Sequence, residues 1–262
     1  MLGALIGDIV GSRFEWRNYK GKDFELCHEN CRVTDDSVLT IAVADVLLNH
    51  GQYAQTYREY YRRYPDAGYG GGFVKWARGE SLVGYNSYGN GSAMRVSPVG
   101  WYEQSLDGVL RQALQSAIVT HNHPEGIKGA QAVASAIFLA RQDNSKDQIR
   151  EYIEQTFGYD LDMIPDQIRP EYRFDVTCQG SVPQALCCFL HSSDYEDAIR
   201  TAISIGGDSD TIACISGSIA EAYYGAVPQE LLSWCLEKLD PELHQVVGRF
   251  CREVTGSLPA LD

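Results

Sequence analysis

Along most of this chain apolar residues recur at the three- and four-residue spacing of helices, and clean alternation of Val, Ile and Thr is nearly absent. The pattern predicts helices over residues 2–13, 36–49 and 53–64, then a short one running through Trp76. Further helices are expected over 106–119, 126–141, 146–157, 181–190, 195–205, 211–224 and 228–238, with a last one from Pro241 to about Thr255. Gly51 and Pro65 supply stops for the second and third. In the first helix Gly3, Gly7 and Gly11 fall every fourth position, a stripe that another element can approach closely. The 126–141 segment is small and apolar and should be buried, whereas 146–157 spreads charge around its surface.

Between these helices lie stretches with little periodicity. Residues 14–33 read as a long polar loop, DAGYGGGF and NSYGNGSAMR as turns, HNHP at 121–124 as a turn, and 158–180 as a loop with two prolines. Long loops rich in Gly, Asn and Ser are where function concentrates. No linker, composition shift or repeat divides the chain, so residues 1–262 are expected to form a single all-α domain.

Composition narrows the partners. A net charge of −13 opposes binding to a nucleic-acid duplex or an anionic membrane surface, yet leaves room for a small phosphorylated ligand received by cations or backbone amides. The opening MLGALIGDIVGS is too short and too interrupted for a signal peptide and has no basic leader, and no apolar run is long enough to span a bilayer. A reduced, cytoplasmic monomer is expected, its eight cysteines unpaired; Cys27 and Cys31 lack a second ligand pair at zinc spacing.

Two acidic clusters carry the candidate chemistry. Thr34-Asp35-Asp36 leads into the apolar helix SVLTIAVADVLL, and Asp208-Ser209-Asp210-Thr211 leads into IACISGSIAEAYYG, almost a reversed copy. Helix capping accounts for one or two residues at each site. It does not account for paired carboxylates, which repel one another unless a cation or a raised pKa relieves them. Carboxylates and threonine hydroxyls are hard oxygen ligands suited to magnesium-type ions. Whether the two helix starts meet cannot be read from the pattern.

Together with GALIGDIVGSRFE and SYGNGSAMR, in this order and over nearly the whole chain, the clusters make the sequence resemble the ADP-ribosylglycohydrolase family. The resemblance implies a compact orthogonal multi-helix fold with a binuclear magnesium site, sometimes manganese, at the bottom of an ADP-ribose cleft. It makes Thr34, Asp35 and Asp36 one half of that site and Asp208, Asp210 and Thr211 the other, with Asp36 and Asp210 touching both ions. Glu15 falls on a motif glutamate implicated in proton handling, a role Asp35 or Asp36 could share. Ser87, Tyr88, Gly89 and Asn90 correspond to the loop holding ADP-ribose, where a Gly-rich turn opening a helix would offer amides to the pyrophosphate. Gly70 and Gly72 correspond to a second phosphate-side loop, Tyr85 to an adenine-stacking position and His121 to a ligand-facing histidine, while His123 is not needed by a hard-oxygen site.

The implied activity is magnesium-dependent hydrolysis of the glycosidic bond between ADP-ribose and an acceptor, a protein side chain such as arginine or serine or a small molecule, with release of ADP-ribose. Two other classes fit parts of the pattern. A magnesium-dependent nucleotide phosphohydrolase would use the same aspartates but release AMP or phosphate. A non-catalytic ADP-ribose-binding module would bind the product and release nothing.

Overall fold

The computed structural model describes residues 1–225 and 227–256. Its helices are, in order, α1 (Leu2–Gly11), α2 (Asp35–Asn49), α3 (Tyr53–Arg63), α4 (Gly71–Arg78), α5 (Gly91–Met94), α6 (Ser97–Tyr102), α7 (Leu106–Ile118), α8 (Pro124–Arg141), α9 (Lys146–Phe157), α10 (Pro165–Ile168), α11 (Cys178–Leu190), α12 (Tyr195–Ser204), α13 (Ser209–Tyr224), α14 (Gln229–Leu236) and α15 (Pro241–Phe250). A single π-turn over Cys251–Thr255 extends the last helix. No strand occurs among the described residues; one isolated bridge pairs Gly89 with Thr177. The all-α reading therefore holds, although its outer bounds at 257–262 lie outside the described residues.

Helix α13 is the axis of the molecule. Every residue from Ser209 to Ala222 is buried, with α1, α11 and α12 packed around it and α8 beside them. The glycine stripe explains its fit to α1. A methyl group at Gly7 would collide with the Ala213 carbonyl, one at Gly3 with that of Gly217, and one at Gly11 would sit 2.6 Å from the Asp210 Cα. The two helices thus meet backbone to backbone, a distance that only glycine permits. Across the same interface Glu221 of α13 accepts the amides of Leu2 (3.2 Å) and Gly3 (2.9 Å), satisfying the open end of α1.

A second face of α1 holds α2. Asp8, wholly buried, accepts from the Thr34 amide (3.1 Å), the Thr34 hydroxyl (2.5 Å) and the Ser37 amide (3.0 Å). Through Gly11 and Asp8, α1 draws the start of α13 and the start of α2 to one place.

The strongly periodic helices stand where their pattern puts them, and α8 is buried as expected. The differences lie in the turn-rich stretches. Helices α5 and α10 occur where turns or loop were expected, α6 in a stretch given no element, and α11 starts at Cys178 because Thr177 accepts the Gly180 amide and so caps the helix. Helix α8 begins at Pro124, inside the expected turn, with the His123 ring accepting from the Glu125 amide (3.1 Å). At the end of α2 the left-handed residue is His50 (φ 53°) rather than Gly51.

No helix of the described residues is long and apolar enough to cross a membrane, and all eight cysteines are free.

Candidate active site

The helix starts of α2 and α13 open onto one cavity of about 550 Å³. Asp208 reaches it from a turn built on Gly206 (φ 72°) and Gly207 (φ 74°), consecutive left-handed residues that suit glycine alone. The capping question raised by the sequence resolves into a division of labour. At α2 the capping is done by Thr34, which accepts from the Asp36 amide at 3.3 Å, and by Asp8 from across the interface. At α13 Asp208 makes no capping bond at all, and Asp210 accepts from the adjoining Thr211 amide at 3.0 Å. At the α2 start Asp36 Oδ1 is left buried with no partner.

The acids of the two helix starts converge with Asp8 and Glu15. Oxygens of Asp8, Asp36 and Asp210 lie within 4.8 Å of one another, and so do oxygens of Glu15, Asp208 and Asp210. Asp210 belongs to both sets. Asp35 belongs to neither; half-buried, it lines the cavity beside Gly68 and donates its amide to the Ala67 carbonyl (2.8 Å). Thr211 also lines the cavity, whereas the Thr34 hydroxyl is bound to Asp8.

Burial and mutual repulsion perturb every acid here. Burial, then the charges of Asp210 and Asp8, pushes Asp35 and Asp36 well above the usual carboxylate range. Asp210 is raised in the same way by burial and by Asp208. Burial lifts Asp208 to about 6, and burial followed by the Asp210 charge lifts Glu15 to about 8. Arg32, 3.9 Å from Glu15 and largely exposed, is a weak counterweight. Carboxylates this crowded favour either shared protons or bound cations. A set made of hard oxygens, with an orphaned buried oxygen among them, fits magnesium or manganese.

The loops expected to hold a ligand form the remaining wall. Gly70, Gly72, Tyr85, Ser87, Gly89, Asn90 and His121 all line the cavity. Tyr88 does not; it is half exposed and packs edge-on against His123, at 5.3 Å between ring centroids. The Ser87–Asn90 loop is also less free to donate than its glycines suggest. The Gly89 amide donates to Ser87 Oγ (3.1 Å) and the Asn90 amide to the Val176 carbonyl (2.7 Å). The Asn90 side chain instead steadies the acidic site, donating to Asp208 Oδ2 at 2.6 Å and to Ser181 Oγ at 3.0 Å.

Three features escaped the sequence reading. Asp8 is one, a lone acid on an otherwise apolar helix face, and that exception was itself the available signal. Another is Arg95, wholly buried and lining the cavity. The third is an aromatic rim in which exposed Trp16 stacks on Phe174 with ring centroids 5.0 Å apart. A second depression of about 670 Å³, lined by residues such as Asp194, Arg200 and Tyr224, holds no acid cluster of this kind among the described residues.

Known proteins resemble this chain along most of its length. The family description ADP-ribosylglycohydrolase matches residues 1–258. The chain is 28% identical to ADP-ribosylhydrolase ARH3 of Mus musculus over 336 residues, spanning 94% of this chain and 90% of that protein. It is 25% identical to ADP-ribosylarginine hydrolase Tri1 of Pseudomonas putida over 301 residues, covering all of this chain and 78% of the other. Among solved structures it is similar to an ADP-ribosylglycohydrolase-related protein complex, with a TM-score of 0.71, 25% identity and 96% of each chain covered. The chain belongs to the ADP-ribosylglycohydrolase family, enzymes that hydrolyse ADP-ribose linkages.

Proposed function

We propose that the protein is a magnesium-dependent glycohydrolase that cleaves the bond between C1 of the distal ribose of ADP-ribose and its acceptor, releasing ADP-ribose. The observation that carries this reading is the Asp210 carboxylate, shared between two convergent acid sets at the edge of a cavity walled by glycine-rich loops. Asp36, Asp208, Asp210 and Thr211, with Asp35 and Thr34 beside them, would hold two Mg²⁺ ions, or Mn²⁺ in their place. Bound there, the ions would neutralise the carboxylates, engage ribose hydroxyls and make a water more acidic.

The chain's own residues supply the rest. Asn90 fixes Asp208, and Asp8 fixes the start of α2, so the acids are held in place before substrate arrives. Glu15, half-buried with an oxygen close to Asp208 and Asp210, would pass a proton between water and the leaving atom, with Asp35 the other candidate for this role. The Gly70–Gly72 and Ser87–Asn90 loops and Tyr85 would hold the ADP portion. The acceptor is an arginine or serine side chain or a small ADP-ribosylated molecule, and the enzyme is a cytoplasmic monomer of one domain.

A panel assay tests this. Purified protein with magnesium is offered arginine-, serine- and nucleotide-linked ADP-ribose, and free ADP-ribose plus intact acceptor is the expected product. AMP or inorganic phosphate as product would favour a phosphohydrolase, and binding without release would indicate a reader module. Chelator should abolish turnover and magnesium restore it; full activity in chelator overturns the metal assignment.

A further inference from the structure

Among the described residues Arg95 is the largest wholly buried side chain, and no carboxylate pairs with it. Its Nε and Nη1 have no hydrogen-bond partner. The guanidinium lies over the Tyr57 ring at 4.4 Å, and Nη2 donates to the Ser116 carbonyl (3.0 Å) and to Thr120 Oγ1 (2.8 Å). An unpaired buried cation costs several kcal/mol, so its place at the cavity calls for a return elsewhere.

The return is found one residue further on. Thr120 Oγ1 lies 2.7 Å from His121 Nδ1. An arginine is always a donor, so Thr120 must accept from it, and one hydroxyl proton remains to be given. The alternative acceptor, the Ala117 carbonyl, is 3.5 Å away and already receives the amides of Thr120 (3.1 Å) and His121 (2.7 Å). The hydroxyl proton therefore goes to Nδ1, and the ring's own proton sits on Nε2. Burial, and then the Arg95 charge, also disfavours a second ring proton. Nε2 makes no hydrogen bond within the described residues and lies against the ligand loop, 3.1 Å from where a Cβ on Gly91 would stand.

We infer that Arg95 is a positioning residue that acts through the Thr120 hydroxyl to lock His121 in the neutral Nε2–H form, a single directed donor for an acceptor oxygen of the ligand in the cavity. The chain Arg95–Thr120–His121 converts a buried charge, with no contact to the ligand required, into a fixed tautomer at the wall. Only the identity of the ligand rests on the function proposed above.

Replacing Arg95 itself risks unfolding, so the link is best cut at Thr120→Val, which keeps the side-chain shape, with Thr120→Ser as rescue. Nitrogen NMR on the ligand-free protein labelled at histidine should show His121 protonated at Nε2 and bare at Nδ1 near neutral pH. In Thr120→Val that preference should be lost and ADP-ribose should bind about tenfold more weakly, the scale of one hydrogen bond. Thr120→Ser should restore both. A wild-type His121 protonated at Nδ1, unchanged ADP-ribose affinity in Thr120→Val, or failure of Thr120→Ser to recover would overturn the inference. If the wild-type protein binds no ADP-ribose, the functional reading fails, while the ligand-free spectra still decide the relay.

Discussion

Among the acids, position in the packing rather than charge separates cap from ligand. Asp8 is surrounded by three donors from the start of α2 and is expected to act structurally, whereas Asp36 Oδ1 has no partner and Asp210 stands in both acid sets. Asp210→Ala should therefore lower kcat by about a hundredfold or more, since loss of a metal-shell group commonly costs one to two orders of magnitude, with the helical circular dichroism unchanged. Asp8→Ala should instead show in the melting curve, at about 1–3 kcal/mol for stranded buried donors. Thr34, Asp35, Asp36, Asp208 and Asp210 could be singled out from the sequence because they cluster within a few positions at two helix starts. Asp8 and Arg95 were not, because each is a single charge whose meaning depends on a partner distant in sequence, Thr34 for one and Thr120 for the other.

For the helices, legibility followed periodicity. Helices such as α2, α7, α9 and α13 bury a face or a whole surface, so their apolar spacing carries the information. Helices α5 and α10, of four residues each, have too few positions to display a period. Their form is imposed by what lies around them, such as the pairing of the Ser87–Asn90 loop with residues 176–178. The glycine stripe was readable as a close-approach surface but not as an address for α13. It makes a sharp test: Gly7→Ala forces a methyl into the Ala213 carbonyl, which should cost about 1–3 kcal/mol as over-packing. Because α1 aligns both acid-bearing helix starts, the same variant should lose metal-dependent activity beyond what its lowered stability explains. Wild-type activity in folded Gly7→Ala would contradict that alignment.

Over the whole molecule the crowded carboxylates bind stability to pH. Asp36, Asp208, Asp210 and Glu15 have raised pKa values in the folded state, so the native protein holds more protons than the unfolded chain. Stability conferred by those protons is complete below the ordinary carboxylate range and is lost as pH rises through the folded values, which extend to about 6 for Asp208 and about 8 for Glu15. Chelated protein should melt at progressively lower temperature from pH 4 to pH 8, and magnesium should flatten that slope by taking the place of the protons. A slope of the opposite sign, measured by thermal unfolding in chelator, would show the acids to be stabilised in some other way.

The seam between α1 and α13 also sets when the enzyme can first exist. The proposed centre draws on residues 8–36 and 208–211, which leave the ribosome early and late in synthesis. At about 5–20 residues per second, the α1 stripe and the first acids wait some ten seconds or more for their counterparts. With these acids as the proposed centre, the nascent chain would carry half a site and no catalyst through that interval, and activity would switch on only when α13 docks.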